Sequence, residues 1–217
     1  MRRIGALSIG ESPRPDLLQE ITPCIAADRI TQWGAMDGMH PQEVWRPEYD
    51  VPLITKLGGE TVLVERAWMA QRLQQLIDQH HAQVDAFIIL CAEDFSSLRA
   101  PVPLFIPYVL TRKALEATSF GGRLGIVCPV SGQVTSCKKK WDGSEWKATV
   151  EVASPFVAPE LDDAVERLLA APSDLILLDC TSFSQEQARH LSVAHQRSVV
   201  AVRSFAWTVL KEFVIQQ

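Results

Sequence analysis

The 217-residue chain has no apolar stretch approaching the roughly 18 residues that span a bilayer, which sets aside a transmembrane helix. It has no excess of basic charge either. The formal net charge is −5, and the six tryptophans are scattered without the lysine and arginine interleaving of a nucleic-acid surface. There is no Cys-x-x-Cys pair and no histidine-rich cluster, so no metal site is expected. Gly121, Gly122 and Gly125 precede an apolar run instead of following one, so they do not form a dinucleotide fingerprint. A phosphate-binding Gly-x-x-x-x-Gly-Lys-Ser/Thr run is also missing. The cysteines (Cys24, Cys91, Cys128, Cys137 and Cys180) are odd in number and widely spaced, which points to reduced thiols in a cytoplasmic protein. The opening "MRRIGALSIG" breaks into a Ser/Pro/Arg/Asp loop without a small-residue cleavage site, and reads as a first strand.

What is present is alternation. Strands are expected at 4–9, 29–33, 53–56, 86–90, 124–127, 148–152, 175–178 and 199–202, several as continuous apolar runs of the kind found in parallel sheets covered on both faces. Helical stripes lie between them: Leu73, Leu76 and Ile77; Leu161, Val165, Leu168 and Leu169; and Phe205, Val209, Leu210 and Phe213. The pattern predicts an α/β fold of two similar Rossmann-like or flavodoxin-like halves, with parallel sheets and an interdomain cleft. Residues 1–110 with 203–217 would form the first half and 111–202 the second. Lys138, Lys139 and Lys140 read as a solvated helix face, and His80 and His81 as a helix C-terminal pair.

In such sheets ligands bind beyond the carboxyl ends of the strands. The loops there read "GESPRPD", "CAEDFSS", "CPVSGQ" and "DCTSFS". Cys91 and Cys180 each close an apolar run, 89 residues apart, and two thiols facing one substrate can exchange a proton at a carbon α to a carboxylate. A helix beginning near Gln185, capped by Thr181, Ser182 or Ser184, would favour the Cys180 thiolate, whereas Glu93 and Asp94 would disfavour one at Cys91. Thr181, Ser182 and Ser12 are candidate donors to an enolate or carboxylate, and each is equally a candidate cap. Arg14 reads either as a bidentate carboxylate clamp or as the surface partner of Asp16. Arg203 reads as a second clamp or as solvated surface. Ser8, Pro129 and Gln133 are candidates for the cleft wall, and Cys24, Cys128 and Cys137 read as small hydrophobes.

The segments "SIGESPRPD", "IILCAEDF", "RLGIVCPVSGQ" and "DLILLDCTSF", with Trp141 after Gln133, resemble the AroM family over nearly the whole chain. That family is similar to the aspartate/glutamate and hydantoin racemase superfamily. The resemblance implies two like α/β domains and paired cysteines that work without pyridoxal phosphate or metal, here Cys91 and Cys180. It also implies a homodimer. Ala92-Glu93 stands where racemases often carry Asn-Thr, and the chain contains no asparagine. The expected function is a cofactor-independent racemase or isomerase, or a one-cysteine decarboxylase, acting on a small carboxylate. The rival is a non-catalytic small-molecule binder or regulator of the same fold. The partner is a small carboxylate ligand in either case, with no role for nucleic acid or membrane.

Overall fold

The computed structural model describes residues 2–44, 52–171 and 173–215. The chain divides into two compact units: Met1–Cys91, Phe95–Ile106 and Trp207–Gln217 in the first, Ala92–Asp94 and Pro107–Ala206 in the second. Among the described residues, no helix is long and apolar enough to cross a membrane.

The first unit is built on β1 (Ile4–Ser8), β2 (Ile30–Gly34), a hairpin of β3 (Pro52–Leu57) and β4 (Glu60–Glu65), β5 (Ala86–Ile89) and β6 (Leu104–Phe105). A four-residue helix α1 (Pro15–Leu18) follows β1, and α2 (Arg66–His80) precedes β5. The sheet order is β2-β1-β5-β6, all parallel. Helix α2 starts where Glu65 accepts the N–H groups of Ala67 and Trp68 at 2.7 Å, and it buries Met69, Leu73 and Ile77 at the four-residue spacing of one helical face.

The second unit contains α3 (Pro107–Ala117), β7 (Arg123–Cys128), α4 (Val134–Trp141), β8 (Lys147–Val152), α5 (Ala158–Ala170), β9 (Leu175–Leu178), α6 (Gln185–His195), β10 (Ser198–Ala201) and the start of α7 (Val202–Ile215). Its sheet runs β8-β7-β9-β10, again all parallel. Strand alternation divides the side chains between two cores. Val127, Ile176 and Leu178 pack with Leu161, Val165 and Leu168 of α5 and with Leu191 of α6. Leu124, Ile126 and Leu177 pack with Leu115 of α3 and with Cys137 and Trp141 of α4. With both faces covered, the inner strands β7 and β9 read as nearly continuous apolar runs, whereas the edge strand β8 carries exposed polar residues.

The two sheets repeat one another in detail. Matching β1, β2, β5 and β6 to β7, β8, β9 and β10 reproduces the strand order and the registers: Leu7 lies opposite Ile89, and Val127 opposite Leu178. Even the entry to the strands repeats. Arg3 N–H donates to the Asp85 carboxylate at 2.6 Å while Asp85 N–H donates to the Arg3 carbonyl at 2.8 Å. Arg123 and Asp174 make the same two bonds at 2.7 and 2.8 Å.

All eight expected strands are present, with ends moved by no more than a residue or two. The 53–56 run is not part of a parallel sheet. Gly58 and Gly59, at φ of +58° and +80°, turn it back antiparallel onto β4, which the first half carries as an insertion between β2 and α2. The stripe on the last helix is also rotated from expectation. Ala206, Trp207, Leu210 and Val214 are buried, while Phe213 is exposed.

Candidate active site

At the carboxyl end of β9 the chain reads Asp179-Cys180-Thr181-Ser182. Cys180 is half-buried as a residue, and its sulfur accepts the Ser182 N–H at 3.4 Å. Thr181 is buried, and its carbonyl takes a 2.7 Å bond from Arg203 Nη1. Arg203 is therefore inside the second unit near the start of α7, not on a solvated surface at a strand end. Ser184 is the cap of α6. Its hydroxyl accepts Gln187 N–H at 3.1 Å and the Gln187 side chain returns a 2.8 Å contact, a reciprocal capping box.

The expected lowering of the Cys180 pKa by this helix is not found. The surrounding protein desolvates the sulfur and pushes the thiol up, and the Asp179 charge adds to this. The Ser182 hydrogen bonds and the Arg203 charge pull the other way without winning. Burial thus favours the protonated thiol at Cys180 over the thiolate.

The expectation of a solvated lysine face is also corrected. Lys138 and Lys139 are exposed, but Lys140 lies three residues beyond Cys137 and beside Trp141 on the inward face of α4. Its side chain is 7% exposed, against 2% for Asp179 and 12% for Glu93. The ammonium sits 2.8 Å from Asp179 Oδ2 and 3.7 Å from Glu93 Oε2, and it donates to the Ala92 carbonyl at 3.0 Å. The rings of Tyr108 and Trp141 stand 5.5 and 5.7 Å away. Burial alone would lower the Lys140 pKa, but the Asp179 and Glu93 charges outweigh it and hold the ammonium well above its ordinary value. Burial raises the Asp179 carboxyl, with Lys140 as the main counterweight. Cys137 donates its S–H to Asp179 Oδ2 at 3.1 Å; its neighbour Cys128, its burial and the Asp179 charge keep it protonated. Asp179 Oδ1 and Trp141 Nε1 are buried without a hydrogen-bond partner of good geometry.

Asp179 is a departure from the internal repeat. Leu90 N–H donates to the Leu7 carbonyl at 2.7 Å, just as Asp179 N–H donates to Val127 at 2.9 Å, so the two residues occupy one place in the two sheets. The first sheet fills it with a leucine that is 3% exposed. By the same register, Cys91 and Cys180 are equivalent, each two residues past its strand and each partly exposed.

The other expected site residues of the second unit are Pro129 and Gln133 after β7, and Glu93 ahead of α3. Pro129 follows β7, half-buried, and the Gln133 carbonyl accepts Ser136 Oγ at 3.0 Å at the entry to α4. Glu93 accepts the Asp94 N–H at 2.7 Å and turns its second oxygen toward Lys140.

In the first unit, the residues after β1 are largely engaged with one another. Ser8 accepts the Gly10 N–H at 3.1 Å and donates to the Glu11 carbonyl at 3.2 Å. Ser12 gives both its hydroxyl and its N–H to Asp37, at 2.6 and 2.7 Å. A third bond to Asp37 comes from Gly34 N–H at 2.7 Å. Gly34 must be glycine here, because a Cβ would stand 2.6 Å from Ser12 N. Arg14 pairs with Asp16 through two bonds of 2.9 and 2.6 Å, which is the second of its two expected arrangements and lowers the Asp16 pKa. The sequence pattern assigns no role to Asp37 or Asp179 and a solvated one to Lys140. The signals were there: an aspartate closing the apolar run "LILLD", and a lysine on the helix face that carries Cys137 and Trp141.

Two matched four-stranded parallel sheets, each with a cysteine just beyond an inner strand, define a protein of the racemase-type α/β fold. The chain belongs to the AroM family, whose model, described as AroM protein, matches residues 4–214. No curated protein matches it. Several solved structures share the fold. A double mutant of arylmalonate decarboxylase in liganded form is 13% identical, over 100% of this chain and 93% of that one, with a TM-score of 0.65. The maleate isomerase Iso from Pseudomonas putida S16 is 13% identical over 98% and 92%, at 0.56. Glutamate racemase from Campylobacter jejuni subsp. jejuni is 17% identical over 98% and 84%, also at 0.56. At such identities the likeness establishes the fold.

Proposed function

We propose that the protein is a cofactor-independent racemase or isomerase acting at a carbon α to a carboxylate, with Cys91 and Cys180 as its acid and base. The observation that carries this reading is their equivalence in the internal repeat, two partly exposed thiols at the same place beyond matched strands. The fold's solved neighbours act, by their names, on arylmalonate, maleate and glutamate, all small carboxylates. In the proposed reaction one thiolate removes the α-proton and the other thiol returns one, so the two exchange protonation state in each turnover. The negative charge that develops on the substrate carboxylate is met by the Ser182 and Thr181 hydroxyls.

The raised pKa of Cys180 favours a second reading, a decarboxylase in which carbon dioxide leaves and the Cys180 S–H protonates the resulting carbanion. The thiolate then recovers its proton from water. Isotope exchange tests both. The wild-type protein is incubated in heavy water with amino acids, hydantoins, small dicarboxylates and malonates, and deuterium at the α-carbon is read by mass spectrometry. Racemase chemistry requires wash-in that Cys91→Ala and Cys180→Ala each abolish. The decarboxylase reading requires carbon dioxide release lost only in Cys180→Ala. Bound compounds that neither exchange nor decarboxylate would overturn both readings in favour of a binding protein.

A further inference from the structure

The proposed reaction leaves the Lys140 cluster without a task, and the fold does not require it. Taking an ammonium and a carboxylate out of water costs several kcal/mol for each ion, and a well-packed apolar pair often does as well or better. The first sheet fills the equivalent place with Leu90, so the charges belong to the second unit alone. What distinguishes the lysine is the set of groups it holds. Asp179 is the residue before Cys180, and Ala92 and Glu93 are the two residues after Cys91.

We infer that Lys140 is a positioning residue for both thiols, its ammonium fixing the peptide that leads into Cys180 through Asp179 and the peptide that leaves Cys91 through Ala92 and Glu93. The inference rests on Cys91 and Cys180 being the working thiols. A purely structural plug would need only volume at this position, whereas the ammonium makes directed contacts of 2.8 and 3.0 Å to Asp179 and the Ala92 carbonyl. The charged groups bearing on the Cys180 sulfur are Asp179 in its own segment and Arg203 from α7, with Ser182 as its hydrogen-bond donor. Without Lys140 nothing offsets the charge of Asp179, and at any pH where that carboxyl stays ionised a thiolate at neighbouring Cys180 is harder to form. At the same time Glu93 and the Ala92 carbonyl lose their anchor.

The test reads each thiol directly and needs no substrate. Iodoacetamide alkylation of the full chain is followed by mass spectrometry, cysteine by cysteine, across a pH series. Wild type, Lys140→Met, Lys140→Arg and the double variant Lys140→Met/Asp179→Leu are compared, with exposed Cys24 as internal standard. In Lys140→Met, Cys180 should react about tenfold more slowly at neutral pH, with its midpoint about one pH unit higher. Cys91 should change by about threefold or more, and Cys24 by less than about twofold. Lys140→Arg should keep wild-type profiles to within about threefold, since it retains the charge. The double variant should restore Cys180 toward wild type but leave Cys91 altered. Wild-type profiles at Cys91 and Cys180 in Lys140→Met overturn the inference, as does a uniform change that includes Cys24, or an arginine variant as altered as the methionine one. If Lys140→Met fails to fold, the double variant decides: an unaltered Cys91 there overturns the inference, and an altered one upholds it. Profiles that shift in a protein showing no isotope exchange would remove the proposed reaction and leave the role of Lys140 standing.

Discussion

Replacing Lys140 with methionine should destabilise the second unit far more than removing both members of its ion pair. The single change leaves Asp179, almost wholly buried, facing Cys137 and an indole with no cation to offset its charge. Breaking one side of a buried pair costs about 3–5 kcal/mol. With a urea dependence of about 2 kcal/mol per molar, the unfolding midpoint should fall by about 2 M. Lys140→Met/Asp179→Leu instead puts at 179 the residue type that Leu90 supplies at the equivalent place in the first sheet, and should lie within about 1 kcal/mol of wild type. A double-mutant cycle completed with Asp179→Leu should then give a coupling of at least about 2 kcal/mol, larger by whatever Asp179→Leu costs alone. Urea unfolding followed by tryptophan fluorescence reads this, with Trp141 and Trp146 reporting from the same core. A single variant that loses less than about 1 kcal/mol would refute the reasoning, as would a double variant as unstable as the single one. Either result would mean that water or a rearranged Glu93 already screens Asp179.

Three further outcomes are expected. Ser184→Ala removes the capping box of α6 and should cost about 1 kcal/mol in thermal or urea unfolding, with Ser184→Gly costing less. Gly5→Ala places a Cβ 2.5 Å from the Phe87 ring and 2.9 Å from Trp33, and should cost about 1–3 kcal/mol through overpacking, read by the same unfolding assay. In the wild-type protein, burial raises the Cys180 pKa, so its alkylation rate should climb with pH through a midpoint above the ~8.5 of a free thiol. Exposed Cys24 is the comparison within the same sample.

The strands were legible because a parallel sheet covered on both faces imposes unbroken apolar runs, and the runs around 86–90 and 175–178 could hardly serve another purpose. The doubled order of elements was legible for the same reason. Strand β6 was not, because its two residues, Leu104 and Phe105, carry too little pattern to distinguish from a loop. Strand β4 did carry the signal: Val62 and Val64 alternate with exposed Thr61 and Leu63 just after two glycines. On the last helix, two aromatics and two aliphatics drew the stripe onto the wrong face, because their size outweighed the four-residue spacing of Ala206, Leu210 and Val214. The thiols could be picked out as strand-ending residues, but their environment could not. Which of three consecutive lysines turns inward depends on the phase of α4 against the sheet. The partner it meets is an aspartate 39 positions further along the chain, and no local pattern joins the two.

Asp179 and Cys180 are neighbours in the chain yet look to opposite sides of the second sheet. The carboxylate meets Cys137 and Lys140 of α4, and the thiol packs against the core shared with α5 and α6. Substitutions among the helices on one side can therefore reset the sulfur's electrical surroundings while the shape around it is left alone, and changes on the other can reshape its surroundings without disturbing the charge.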